Sequence, residues 1–174
     1  MPTYKRKPSI RKPNWDYRNP SYYFVTICTQ HREPIFQNTN IKQATEWTWR
    51  QIPTWPQSEH VVLDRFVVMP DHVHGLLFLT SGYDHEPHSQ PNNAPGSLGA
   101  IIGTYKSNAG NRARALLGSI DMKIWQRGYY DRIVRDESEL NRIREYIRLN
   151  PIRAAERRDN LDLLLSKMTY HDGP

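Results

Sequence analysis

One cysteine, Cys28, stands in 174 residues. An intramolecular disulfide is thereby excluded, as is any Cys-x-x-Cys zinc or redox motif. Within Phe24-Val25-Thr26-Ile27-Cys28 the thiol reads as a buried structural group rather than a nucleophile. No run of about 18 apolar residues occurs, so no membrane span is expected, and the mean hydropathy of -0.78 agrees. The amino terminus lacks the basic, apolar, small-residue succession of a secretory leader, which points to the cytoplasm. There is also no Gly-x-x-x-x-Gly-Lys-Ser/Thr loop, so chemistry driven through a nucleotide-binding loop of that kind is not expected.

Acidic residues are the scarcer charge, 18 Asp and Glu against 24 Lys and Arg, for a net charge of +6. The excess is concentrated at one end. Residues 1–18 carry Lys5, Arg6, Lys7, Arg11, Lys12 and Arg18 against Asp16, six charges against one, a net of +5. Tyr4, Trp15 and Tyr17 are interspersed among them. Cations with rings between them suit a nucleic acid, where phosphates are neutralised and unpaired bases stack; the same charge also suits a solvated terminus.

A chain of this length is most simply one domain, and 37% hydrophobic and 11% aromatic residues supply one core. Residues 22–29 (YYFVTICT) read as a first strand, and apolar or compatible positions at Ile41, Ala44, Thr45, Thr48 and Ile52 as a helix capped within 38–40. Residues 61–69 and 73–80 read as two strands joined around Pro70-Asp71. The Pro-rich, polar stretch 81–96 is a surface loop. Ser97 caps a second helix running towards Leu117, residues 125–135 form a last strand, and Asp136 to Glu139 have capping-box spacing for a helix through Asn150. Pro151 is expected to end that helix, and residues 152–168 to form another with Leu161, Leu164, Leu165 and Met168 on its apolar face. The order predicts an α+β, ferredoxin-like split βαβ antiparallel sheet, with helices on one face and a C-terminal helical extension. The expected divisions are a basic arm at 1–20, a body at 21–155, and a helix and tail at 156–174.

The chemistry concentrates in two places. His72 and His74, in Met69-Pro70-Asp71-His72-Val73-His74, leave the same face of a strand because side chains alternate. Tyr146 and Asn150 are four apart on a helix and share its face. Taken singly, each is ordinary: a His-x-His pair is commonly two hydrogen-bonded imidazoles, and a helical tyrosine between Ile143 and Ile147 a half-buried core residue. Together, two imidazoles and an amide oxygen suit a hard divalent cation, Mg²⁺ or Mn²⁺, with positions left for phosphate and water. Beside such an ion a tyrosine hydroxyl is placed to attack a phosphodiester, conserving the bond energy in a phosphotyrosine.

With these residues in view, the chain resembles the REP-associated tyrosine transposases, a branch of the single-tyrosine HUH transposases. The matching segments are 22–29, 67–77 with Met-Pro-Asp-His-Val-His, 125–135 (WQRGYYDRIVR), and 146–154 (YIRLNPIRA). The resemblance implies that His72 and His74 are metal ligands, Asn150 the third protein ligand, and Tyr146 the nucleophile that takes the 5′ phosphate and leaves a 3′ hydroxyl. Tyr129 and Tyr130 are the competing tyrosines. It implies a bacterial, nucleoid-associated endonuclease and transposase that cleaves and rejoins single-stranded DNA at hairpin, REP-like elements with a guide tetranucleotide, as a monomer or homodimer. The candidate DNA contacts are Lys5, Arg6, Lys7, Arg11, Lys12, Trp15, Tyr17, Arg142, Arg148 and Arg153, with Arg144, Arg157 and Arg158 in the same basic set. A domesticated, non-catalytic hairpin-binding protein is the alternative. A replication initiator or relaxase of the HUH class is a third reading; those commonly carry extra domains, for which 174 residues leave little room.

Overall fold

Residues 12–81 and 94–156 are described by the computed structural model. The sheet is organised around β1 (Ser21–Cys28), whose alternation is read by two different cores. Tyr23, Val25 and Ile27 enter a large cluster, whereas Phe24 enters a second, smaller one. A strand buried on both sides belongs in the middle of a sheet. Accordingly β1 lies between β3 (His72–Leu79) and β4 (Tyr130–Ile133), with β2 (Val61–Met69) beyond β3, in the order β2-β3-β1-β4. Every neighbouring pair is antiparallel. Helices α1 (Thr39–Arg50) and α2 (Leu98–Leu117) connect β1 to β2 and β3 to β4, which is the split βαβ arrangement, and α3 (Glu137–Glu156) follows β4.

The helix starts use the expected caps. Asn38 Oδ1 accepts from Asn40 N at 3.0 Å, and Ser97 Oγ from Ala100 N at 3.3 Å. Asp136 Oδ1 accepts from Glu139 N at 2.8 Å, satisfying donors that a helix start leaves unpaired. Helices α1 and α2 cover one face, burying Ile41, Trp49, Ile101, Ile102 and Tyr105 in the larger cluster. The expectation of helices on one face describes these two. Helix α3 takes the other face, because Leu140, Ile143 and Ile147 find their apolar partners in Phe24 and Leu76.

Two boundaries differ from expectation. The last strand is only Tyr130–Ile133, with Trp125 making an isolated bridge to Thr29. Between them, the Lys106 ammonium takes the carbonyls of Gln126 at 2.7 Å and Gly128 at 2.6 Å, and Gly128 turns the chain at φ +77°. Those carbonyls are therefore engaged away from a ladder. Nor does Pro151 end α3, which continues to Glu156. Proline removes one intrahelical donor, and its residue is exposed here. The arm residues Lys5, Arg6, Lys7 and Arg11, most of the 81–96 loop, and Arg157, Arg158, Leu161, Leu164, Leu165 and Met168 lie outside the described residues. Among the described residues no helix is long and apolar enough to cross a membrane.

Candidate active site

Antiparallel register assembles one half of the site. Pairing Thr26 with His74 and Cys28 with His72 puts all four on the α3 face of the sheet, while Val73 returns to the opposite core. Both imidazoles are buried, His72 at 2% exposure and His74 at 0%, and their Nε2 atoms lie 3.0 Å apart. Each ring is braced from behind. Thr26 Oγ1 lies 2.8 Å from His74 Nδ1, and Asp71 Oδ1 lies 2.6 Å from His72 Nδ1. Burial, then the charges of His72 and Arg32, holds the His74 pKa well below its ordinary value. Its imidazole is therefore neutral, the form that binds metals.

Helix α3 supplies the other half. Ile143 and Ile147 anchor it on the sheet, and Tyr146 between them extends its hydroxyl to 3.2 Å from His74 Nε2. The phenol ring meets Phe24 edge-on at 6.1 Å between centroids. One turn later Asn150 is 1% exposed, and among the described residues neither its Oδ1 nor its Nδ2 has a hydrogen-bond partner. An unsatisfied buried amide costs about 1–3 kcal/mol, so it calls for a functional reason. Among the described residues no three His, Cys, Asp or Glu side chains converge as a metal cluster. Two imidazoles whose Nε2 atoms face each other, plus an orphaned amide oxygen, nevertheless fit a divalent cation.

Tyr146 opens onto a groove of about 540 Å³ lined by Ser138, Asn141, Arg142, Glu145 and Arg153. Arg142 and Arg153 thus share this groove with Tyr146. Arg148 is exposed but forked onto Glu145 at 2.8 and 2.6 Å, and Arg144 binds Asp64 at 2.9 Å, tying α3 to β2. Lys12 is exposed, with its ammonium 4.7 Å from the centroid of the half-buried Trp15 ring. Tyr17 is a correction. At 0% exposure its ring is part of the core, 5.8 Å from that of Tyr23, and cannot stack on a base. An aromatic residue at the edge of a basic segment is as valuable to a core as to a ligand, and here the core holds it. Of the competing tyrosines, Tyr129 packs on the large cluster and Tyr130 on the α3 side; the phenol beside the imidazoles is that of Tyr146.

Sequence reasoning missed Thr26, Asp71 and Arg32. Asp71 adjoins His72 and was within reach of inspection, whereas Thr26 and Arg32 reach the site only through strand pairing and a turn.

Residues 18–150 match the family described as IS200-like transposases. An uncharacterized protein of Haemophilus influenzae (strain Rd) is 32% identical over 162 residues, covering 83% of this chain and 87% of its own. Among solved structures, a REP-associated tyrosine transposase bound to a REP hairpin aligns with a TM-score of 0.51 at 18% identity, over 88% of this chain and 74% of its own. A candidate transposase from Deinococcus radiodurans R1 aligns with a TM-score of 0.50 at 18% identity, over 79% and 96%. The two structural likenesses establish a shared fold, and the family match spanning most of the chain establishes descent: this protein belongs to the IS200-like transposases.

Proposed function

We propose that this transposase is a single-tyrosine, metal-dependent DNA strand transferase of the REP-associated type, acting on single-stranded DNA at hairpin elements. The observation that carries the reading is the Tyr146 hydroxyl 3.2 Å from His74 Nε2, with His72 Nε2 a further 3.0 Å from His74. His72, His74 and the Asn150 amide would hold Mg²⁺ or Mn²⁺, which when bound polarises a phosphodiester and orients it. Tyr146 is the nucleophile: its oxygen bonds to phosphorus and the 3′ oxygen leaves, giving a 5′-phosphotyrosine and a free 3′ hydroxyl. The reverse attack by a 3′ hydroxyl rejoins the strand without ATP. Arg142 and Arg153, lining the groove at Tyr146, are suited to phosphates on either side of the scissile bond. Lys12 and Trp15 are suited to the hairpin, together with Lys5, Arg6, Lys7 and Arg11; Arg148 contributes only by exchanging Glu145 for phosphate. The hairpin in the structural neighbour's complex supports this substrate class.

The test is a covalent adduct. Hairpin-bearing single-stranded DNA with Mn²⁺ should yield a protein-DNA species that survives denaturing electrophoresis, that is absent from Tyr146→Phe and that persists in Tyr130→Phe. Tight hairpin binding with no adduct under any divalent cation would instead identify a non-catalytic binder.

A further inference from the structure

Behind the two histidines the bracing is unequal. A carboxylate only accepts hydrogen bonds, so a neutral His72 donates to Asp71 through Nδ1 and its Nε2 carries the lone pair. A hydroxyl both donates and accepts, so Thr26 leaves the tautomer of His74 open. Asp71 is itself held. Arg32 Nε lies 3.3 Å from Asp71 Oδ2, and Arg32 also donates to Cys28 Sγ at 3.3 Å, on the strand directly beside His72. The Asp71 carbonyl accepts from Thr29 N at 2.9 Å.

The turn that delivers Arg32 is strained. His31 and Arg32 adopt φ of +53° and +60°, two consecutive non-glycine residues in the left-handed region. Such backbone persists where its surroundings over-determine it, and it clusters at functional sites. Gln30 N bonds the Ile124 carbonyl at 2.8 Å, Glu33 N returns to Gln30 O at 3.1 Å, and Thr29 Oγ1 donates to the Glu33 carbonyl at 2.8 Å. A surface arginine that only solvated the protein would have no need of this conformation.

We propose that Asp71 and Arg32 are a positioning pair: Arg32 fixes the Asp71 carboxylate, which locks His72 in the Nδ1–H tautomer with the Nε2 lone pair turned towards His74 as the preset ligand of the catalytic cation. Thr26 serves His74 differently, permitting the proton shift from Nε2 to Nδ1 that frees its second nitrogen for coordination. The proposal rests on the metal-site reading above and extends it to residues that touch neither DNA nor cation. A carboxylate behind a ligating imidazole raises its basicity and fixes its orientation, and losing such a partner commonly weakens metal binding by about 10- to 100-fold.

The experiment uses the full-length protein without DNA, titrated with Mn²⁺ and followed by electron paramagnetic resonance, with ¹⁵N spectra of the histidine rings at a pH where they are neutral. Asp71→Ala and Arg32→Gln should each weaken Mn²⁺ binding, the first by about 10- to 100-fold, with Asp71→Asn and Arg32→Lys in between. The ¹⁵N signature of His72 should change from a single Nδ1-protonated tautomer to a mixture in Asp71→Ala. Hairpin binding in chelator should be unaltered. If Asp71→Ala does not fold, Asp71→Asn and Arg32→Gln carry the test. Unchanged Mn²⁺ affinity in the folded variants, while His72→Ala abolishes it, overturns the positioning role and leaves the metal site standing. A wild-type protein that binds no Mn²⁺ overturns both.

Discussion

Asn150 and His74 give opposite lessons about burying a polar side chain. Among the described residues the Asn150 amide has no partner at either atom, which costs the cation-free protein stability. Replacing an orphaned amide with an apolar group of similar shape is neutral or stabilising. Asn150→Leu should therefore unfold at higher urea than wild type in chelator, by about 1–2 kcal/mol, while losing the covalent DNA adduct. Urea melts paired with the adduct assay check both halves. His74 is buried in its neutral form, and burial has pushed its pKa well below the ordinary value of 6.5. Because the unfolded chain takes up this proton first, the contribution of His74 is complete above about pH 6.5 and is lost as the pH falls below that towards the folded value. Asp71 is affected at lower pH: burial pushes its carboxyl up, but the hydrogen bond and charge of His72, the charge of Arg32 and a backbone hydrogen bond bring it net below its ordinary value. Urea midpoints measured in chelator from pH 8 to 5 should decline below about 6.5, with a shallower slope in His74→Gln.

Among the elements, the seat of α1 on β3 sets the strand that carries the histidines. A Cβ on Gly75 would lie 2.2 Å from Cη2 and Cζ2 of Trp49, so the indole occupies the space that a side chain would take. Trp49 is pinned in turn by Phe66, stacked at 5.8 Å, and by Tyr105, edge-on at 5.0 Å. Gly75→Ala should cost about 1–3 kcal/mol or more through overpacking, read as a lowered midpoint in urea. Most elements were legible locally. Asn38, Ser97 and Asp136 cap the helices where the pattern placed them, since a cap is a contact between near neighbours. The length of β4 was not, because Lys106 on α2 draws off the Gln126 and Gly128 carbonyls from twenty or more residues away. The reach of α3 past Pro151 to Glu156 was not legible either, since a proline inside a helix disfavours continuation locally.

At the scale of the whole molecule, one chain brings its own phenol to its own imidazoles. Helix α3 is held there by the Arg144–Asp64 pair to β2, the Arg132–Glu139 pair to β4, and the Leu140, Ile143 and Ile147 stripe on Phe24 and Leu76. Each subunit thus holds Tyr146 beside its own pair of histidines, whatever the oligomeric state. A mixture of Tyr146→Phe with a His72→Ala, His74→Ala double variant should form no more adduct than either alone. Recovery of adduct in the mixture would mean that α3 crosses to a second subunit when the protein works.

The sequence alone settled what alternation and helical spacing settle: His72 and His74 on one side of a strand, Tyr146 and Asn150 on one side of a helix, and the order of elements that makes a split βαβ sheet. These follow from periods of two and about 3.6 residues, which any local reading can use. The tertiary structure decided what distance in the chain conceals. It put Tyr17 in the core, Thr26 behind His74, Arg32 behind Asp71, and α3 on the face of the sheet away from α1 and α2. Those outcomes depend on strand register and on which apolar stripe finds which cluster, and both are fixed only when the chain closes on itself.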